Sequence, residues 1–273
     1  MKPLFFVGNR RSGTTMMTYV LNLHPHIYMA SEADTLWFLF NGADGNKGLD
    51  VPLRGIGAHP DDDPANLRTK SRSSRLEGGF LGDDDLVGEI RENFFKDLLY
   101  VKDHGILNRQ DAYPEKLDVE LVWAGDKKPA SITDPAMRPW IEQHFPDAKY
   151  IHLVRDPIHC IASMAGLAWE GGDRDFLVDY YVRLEQQALA IPDRLFVRYE
   201  DVCEDPMREL RRVCDHLELD SNDIAESYDA GGALKLKRGV VMGSDYAAEA
   251  RRADLKTIPL TDELKKLIDT YGY

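Results

Sequence analysis

Apolar residues run together from Leu4 to Val7, a length suited to a strand buried on both faces. A glycine-bearing turn follows, and Met16, Met17, Val20 and Leu21 then recur at helical intervals within Thr14 to Leu23. The same order of strand, turn and helix returns at mid-chain. Tyr150 to Val154 predicts a buried strand, Asp156 stands at a cap position with Pro157 at the first helical position, and Ile158, Ile161 and Met164 continue the helix. Leu195 to Val197 predicts a third strand. Met207, Leu210, Val213, Cys214 and Leu217 share one face of a helix from about Pro206 to Leu217, and Phe176 to Ala190 predicts another amphipathic helix. Strands alternating with helices predict an α/β fold of three layers, a central parallel β-sheet flanked by helices. The stretch from Asn41 to Asp85 breaks the rhythm: it is rich in Gly, Asp and Pro, lacks periodicity, and carries Arg68, Lys70, Arg72 and Arg75. It reads as a loop-rich insertion at about 41–85 within one domain spanning 1–273. No internal repeat is visible.

Composition narrows the picture. With 273 residues and 43% hydrophobic content, the chain can bury a large α/β core. Its formal charge of −13 repels polyanions, which argues against nucleic acid as a partner and requires any anion site to be local. No apolar run approaches the roughly 20 residues that span a bilayer. Met1, Lys2 and Pro3 lead straight into a strand-like run instead of a signal peptide's apolar region, so the expected location is cytoplasmic. Cys160, Cys203 and Cys214 lack metal-ligand spacing and are odd in number, as reduced packing residues would be. Neither His24 with His26 nor His152 with His159 has a zinc spacing, and the acidic runs Asp61 to Asp63 and Asp83 to Asp85 lack an EF-hand frame. No metal is expected.

The chemistry concentrates in Gly8, Asn9, Arg10, Arg11, Ser12, Gly13, Thr14 and Thr15, between the first strand and helix. Backbone N–H groups there, with the positive helix end, can surround a phosphate. The glycine spacing is that of a P-loop, yet Thr14 stands where a nucleotide-hydrolysing P-loop carries its lysine, which reaches the β and γ phosphates of a triphosphate. Arg10 and Arg11 supply guanidinium groups beside the cradle. At mid-chain, Arg155 would emerge at the carboxyl end of a strand and Ser163 about two turns into the next helix, where together they can hold one further phosphate. Two separated anion sites favour a bisphosphorylated nucleotide over ATP.

The Arg11 to Thr15 run resembles the 5'-phosphosulfate loop of the sulfotransferase family that uses 3'-phosphoadenosine 5'-phosphosulfate. His24 and Pro25 followed by Glu32 are similar to the pattern of tyrosylprotein and many bacterial members, and that resemblance implies Glu32 as catalytic base. The Val154, Arg155, Asp156, Pro157 run with Ser163 resembles the family's 3'-phosphate element. Asp126, Lys127, Lys128 and Pro129 resemble the segment whose lysine reaches the sulfate; spacing points to Lys127, with Lys128 as its alternative. Tyr199, Glu200 and Asp201 resemble an element that sets a tyrosine against the nucleotide. Lys237, Arg238 and Gly239 look like the loop that closes over the 3'-phosphate, although the aromatic and arginine residues often found there in bacterial members are missing. The resemblance covers mainly Leu4 to Glu32, Asp126 to Ser163 and Val197 to Leu219.

It implies in-line sulfuryl transfer from 3'-phosphoadenosine 5'-phosphosulfate to an acceptor hydroxyl, releasing adenosine 3',5'-bisphosphate. Glu32 would take the acceptor proton, Arg11 neutralise the leaving oxygen and Lys127 contact the sulfate. The alternatives are a P-loop nucleotide kinase or hydrolase, which the Thr14 position opposes, and a catalytically inactive nucleotide-binding module. The acceptor's class and the oligomeric state are not written in these motifs. Trp37, Phe38 and Phe40 suit either an apolar acceptor pocket or core.

Overall fold

The computed structural model describes residues 1–22, 24–31, 35–36, 39–40, 90–103, 120–135, 137–166, 173–223 and 257–273. The expected insertion at about 41–85 lies outside them. Strand β1 (Lys2–Val7) leads to α1 (Thr14–Leu21) and β2 (Ile27–Ser31). Helix α2 (Ile90–Asp103), β3 (Trp123–Lys127), α3 (Pro129–Ile132) and α4 (Arg138–His144) come next. The second half holds β4 (Lys149–Val154), α5 (Pro157–Ala165), α6 (Arg174–Leu189), β5 (Arg194–Arg198), α7 (Tyr199–Glu204), α8 (Pro206–Leu217) and α9 (Asp262–Tyr271).

The five strands form one sheet in the order β2-β3-β1-β4-β5, and every pairing is parallel. Parallel strands need crossovers, and the intervening helices cover both faces. Alternation along each strand divides the core. Phe5, Val7, Tyr28, Ala30 and Ala124 point into a cluster with Phe94 and Leu98 of α2 and Ile141 of α4. Leu4, Phe6, Ile27, Met29 and Trp123 meet Met16, Met17 and Val20 of α1 and Leu210, Val213 and Leu217 of α8 on the other face. A third cluster joins α5, α6 and α9 through Ile161, Leu177, Tyr181, Leu264, Leu267 and Tyr271.

Two polar contacts pin these layers. Trp123 Nε1 donates to the Leu217 carbonyl at 2.9 Å, locking α8 onto β3. The Asn22 amide bonds both the N–H and the carbonyl of Met29, at 2.6 and 2.9 Å, and so closes the turn from α1 into β2. At Gly125 of β3 an added Cβ would lie 1.7 Å from the Leu4 carbonyl oxygen and 3.1 Å from Met29 Sδ. The first obstacle is backbone, so Gly125→Ala is expected to destabilise the fold by about 1–3 kcal/mol, read as a lower urea midpoint. An unchanged midpoint would mean that β1 and β3 approach less closely than described.

Because β1 has β3 on one side and β4 on the other, the chain reverses its direction of winding beside β1. Open α/β sheets bind ligands at such a point, outside the carboxyl ends of the strands.

Candidate functional site

The loop from Gly8 to Gly13 leaves the carboxyl end of β1 and delivers the chain to α1. Its shape requires left-handed backbone at Gly8 (φ 109°), Arg11 (φ 66°) and Gly13 (φ 95°). Gly13 occupies the cap position of α1 without a side-chain cap, and no acidic residue lies in the first turn. The leading N–H groups of α1 and its positive end are therefore left to serve an anion. Ser12 Oγ donates to the Asn9 carbonyl at 2.8 Å, and the Cys160 thiol to the Arg10 carbonyl at 2.9 Å, which ties the loop to α5. Burial pushes the Cys160 thiol well above its ordinary pKa, so this group is a packing donor. All three cysteines are free.

The mid-chain residues converge on the same place. Arg155 follows β4 directly and is buried, with its guanidinium carbon 5.2 Å from the centre of the Tyr199 ring. Tyr199 opens α7 just after β5 and reaches between Arg155 and Gly13; a Cβ on Gly13 would lie 2.4 Å from Tyr199 Cδ2. The Arg11 Nε donates to Ser163 Oγ on α5 at 3.1 Å, across 152 positions of sequence. Arg10 lies over the Tyr180 ring of α6 at 5.4 Å. The two anion elements read separately from sequence thus meet through Arg11 with Ser163 and through Gly13, Tyr199 and Arg155.

Thr14 is buried and Thr15 half-buried at the start of α1. Lys127, the last residue of β3, is buried and pairs in register with Ser31 at the end of β2; Lys128 is half-buried and its carbonyl accepts the Ile132 N–H. Glu32 follows Ser31 directly in sequence but lies outside the described residues, as do Lys237, Arg238, Gly239, Trp37 and Phe38. Phe40 packs edge-on against Trp140 at 5.6 Å, a core contact. His24 is fully buried: its Nδ1 accepts the His26 N–H, which leaves the ring proton on Nε2 facing the Asp220 carbonyl at 3.2 Å. Among the described residues no group of three His, Cys, Asp or Glu side chains is placed to hold a metal ion.

Glu185 and Glu200 lie behind the loops; no sequence motif singles out Glu185, and Glu200 stood out only as the neighbour of Tyr199. Glu185 of α6 is 1% exposed and receives hydrogen bonds from Asn9 Nδ2 (2.7 Å), His152 Nε2 (2.8 Å) and Tyr271 OH (2.5 Å). Burial works to raise its pKa, but attraction to His152 and the three hydrogen bonds hold it below the ordinary glutamate value. Glu200 of α7 accepts the Asp156 N–H at 3.0 Å and the Tyr273 hydroxyl. Asp156 itself caps α5 through the N–H groups of Ile158 and His159. Burial opposes its ionisation too, yet the hydrogen bond and charge of His159 and the backbone donors lower its pKa. The available signal for Glu185 was its position: it continues the apolar face of α6 formed by Tyr181, Val182 and Ala188, where a lone glutamate needs buried partners.

Residues 96–223 match the sulfotransferase family. Over 148 residues the chain is 30% identical to the omega-hydroxy-beta-dihydromenaquinone-9 sulfotransferases of Mycobacterium bovis and Mycobacterium tuberculosis, covering 47% of this chain and 36% of each relative. The match thus spans about a third of those relatives' length. Along its whole length the chain shares the fold of the sulfotransferase domain of the Synechococcus PCC 7002 olefin synthase, at 22% identity and a TM-score of 0.59, covering 95% of that domain. The sulfotransferase domain from the curacin biosynthetic pathway gives 21% identity and a TM-score of 0.57, with 98% of it covered.

Proposed function

We propose that this chain, whose residues 96–223 match the sulfotransferase family and which shares the fold of sulfotransferase domains, transfers a sulfuryl group from 3'-phosphoadenosine 5'-phosphosulfate to an acceptor hydroxyl. The observation that carries the reading is the meeting of the two candidate anion elements at the carboxyl ends of β1 and β4, with Arg11 on Ser163 and Tyr199 set between Gly13 and Arg155. A triphosphate enzyme needs one such element and a lysine where Thr14 stands. A nucleotide phosphorylated at both ends of its ribose needs both elements and no such lysine.

The residues fit that donor. The loop of Arg10, Arg11, Ser12, Gly13, Thr14 and Thr15, with the uncapped start of α1, would hold the 5' end, and Arg155 with Ser163 the 3'-phosphate. Tyr199, with the Arg155 guanidinium 5.2 Å from its ring centre, would pack against the nucleotide. Lys237, Arg238 and Gly239 would add contacts to the 3'-phosphate. The bound donor supplies an activated sulfuryl group whose departure leaves negative charge on the bridging oxygen. Arg11 would neutralise that charge and Lys127, at the end of β3, would contact the sulfate oxygens. Glu32 would take the proton from the acceptor hydroxyl.

The curated relatives are named for a hydroxylated menaquinone, which supports a hydroxyl acceptor without defining its carrier here. No helix among the described residues is long and apolar enough to cross a membrane.

Calorimetry with adenosine 3',5'-bisphosphate, AMP and magnesium-ATP tests the donor reading without an acceptor. Metal-independent preference for the bisphosphate is expected, with Arg155→Ala weakening it about tenfold or more relative to AMP. Equal weakening of both nucleotides would remove Arg155 from the 3'-phosphate, and preference for magnesium-ATP would replace the donor reading with a kinase or hydrolase.

A further inference from the structure

Helix α9 ends at Tyr271 and the chain continues through Gly272 to Tyr273; each of these two phenols donates its hydroxyl to one of the two glutamates behind the donor loops. Each glutamate takes a phenol on one oxygen and a loop group on the other. Glu185 takes Tyr271 at 2.5 Å and His152 Nε2 at 2.8 Å on Oε2, and Asn9 of the loop before α1 on Oε1 at 2.7 Å. Glu200 takes Tyr273 on Oε2, while its Oε1 accepts the N–H of Asp156, the residue after Arg155, at 3.0 Å. Asn9 in turn receives the Ser12 hydroxyl on its carbonyl at 2.8 Å, so the first relay continues into the loop that faces the 5' end.

The helix that ends at Tyr271 and the two residues after it are packed in place. Leu264, Leu267 and Tyr271 are buried against α5 and α6, Thr261 Oγ1 caps the first turn through the Leu264 N–H, and the Arg198 guanidinium lies 4.3 Å from the Tyr273 ring centre. Burial, then the neighbouring carboxylates, push both phenols far above their ordinary pKa. Near neutral pH both are therefore hydroxyl donors. A carboxylate whose second oxygen is tied to such a donor is fixed in orientation, and the loop group on its first oxygen is fixed with it.

We infer that Tyr271 and Tyr273 are positioning residues of the donor site, each acting through a glutamate: Tyr271 on the loop for the 5' end and Tyr273 on the Arg155 turn for the 3'-phosphate. This rests on the donor reading proposed above. It assigns the two ends of the nucleotide to two different hydroxyls, one at the last residue of α9 and one two residues beyond it, each acting through a glutamate and not by contact with the nucleotide.

The separation gives the test. Tyr273→Phe keeps the ring and is expected to weaken adenosine 3',5'-bisphosphate about tenfold while leaving AMP within about twofold. Tyr271→Phe is expected to weaken both nucleotides alike and preserve their ratio. Glu200→Gln, which retains an acceptor for the Asp156 N–H but loses the charge, is expected to reproduce the Tyr273→Phe pattern. Amide hydrogen exchange at Asp156 should quicken in Tyr273→Phe and stay unchanged in Tyr271→Phe. If the wild type prefers the bisphosphate but both phenylalanine variants keep its affinities, or lose both nucleotides in step with thermal stability, the inference is wrong and the donor reading stands. A wild type without that preference overturns both.

Discussion

Glu185→Ala is expected to destabilise the fold by about 3–5 kcal/mol, the loss associated with breaking a buried pair. Three donors converge on this carboxylate from β4, the loop before α1 and α9, and neither His152 nor Glu185 has meaningful access to water. Truncation to alanine strands all three at once, and a buried donor without an acceptor bears its full desolvation cost. Glu185→Gln keeps the shape and one acceptor oxygen, so its loss is expected to be smaller. The pH dependence has a definite sign. The folded-state pKa of Glu185 lies below the ordinary 4.5 of an unfolded glutamate, so its contribution is complete above that value and disappears as pH falls through the folded one. Urea unfolding at pH 7 and through the acid range measures both effects. An alanine variant with the wild-type midpoint would show that the three donors find water in the fold.

Glu32→Gln is expected to lower turnover by about 10²–10⁴-fold, the span of a lost general base, and to leave the affinity for adenosine 3',5'-bisphosphate within about twofold. The substitution is nearly isosteric and removes only the proton acceptor. In sequence Glu32 follows Ser31, whose strand partner Lys127 is the proposed sulfate contact, so acceptor and sulfuryl group would meet across the ends of β2 and β3. Single-turnover kinetics with an acceptor found by screening, beside calorimetry of the product nucleotide, separates chemistry from binding. Unchanged turnover would withdraw Glu32 as base, whereas a large loss of nucleotide affinity would make it part of the donor site.

Local signals made some elements readable and left others hidden. Helix α5 was legible because Asp156 and Pro157 announce its start within two residues, and α8 because Leu210, Val213, Cys214 and Leu217 repeat at the helical period. Strand β3 was not: after Trp123, the residues Ala124, Gly125, Asp126 and Lys127 are of types depleted in strands, and this segment becomes a strand because β1 and β2 flank it. Helix α9 carries Leu264, Leu267 and Tyr271 at the right period but gained its importance only from the polar tips it delivers. The site divides similarly. Arg11, Gly13, Arg155 and Ser163 stand in motifs whose spacing implies anion binding, and folding brings them together. The contact between Asn9 and Glu185 spans 176 positions, and no local pattern couples such residues.

The left-handed backbone at Arg11 sets a cost in selection's terms. A non-glycine residue there gives up about 1–2 kcal/mol, so the fold alone would prefer glycine, as it has at Gly8 and Gly13. Glycine would also remove the guanidinium that reaches Ser163. On the proposed reading, position 11 is where this lineage has accepted a less stable chain to keep a positive charge, and where a search for thermostable variants would first erode activity.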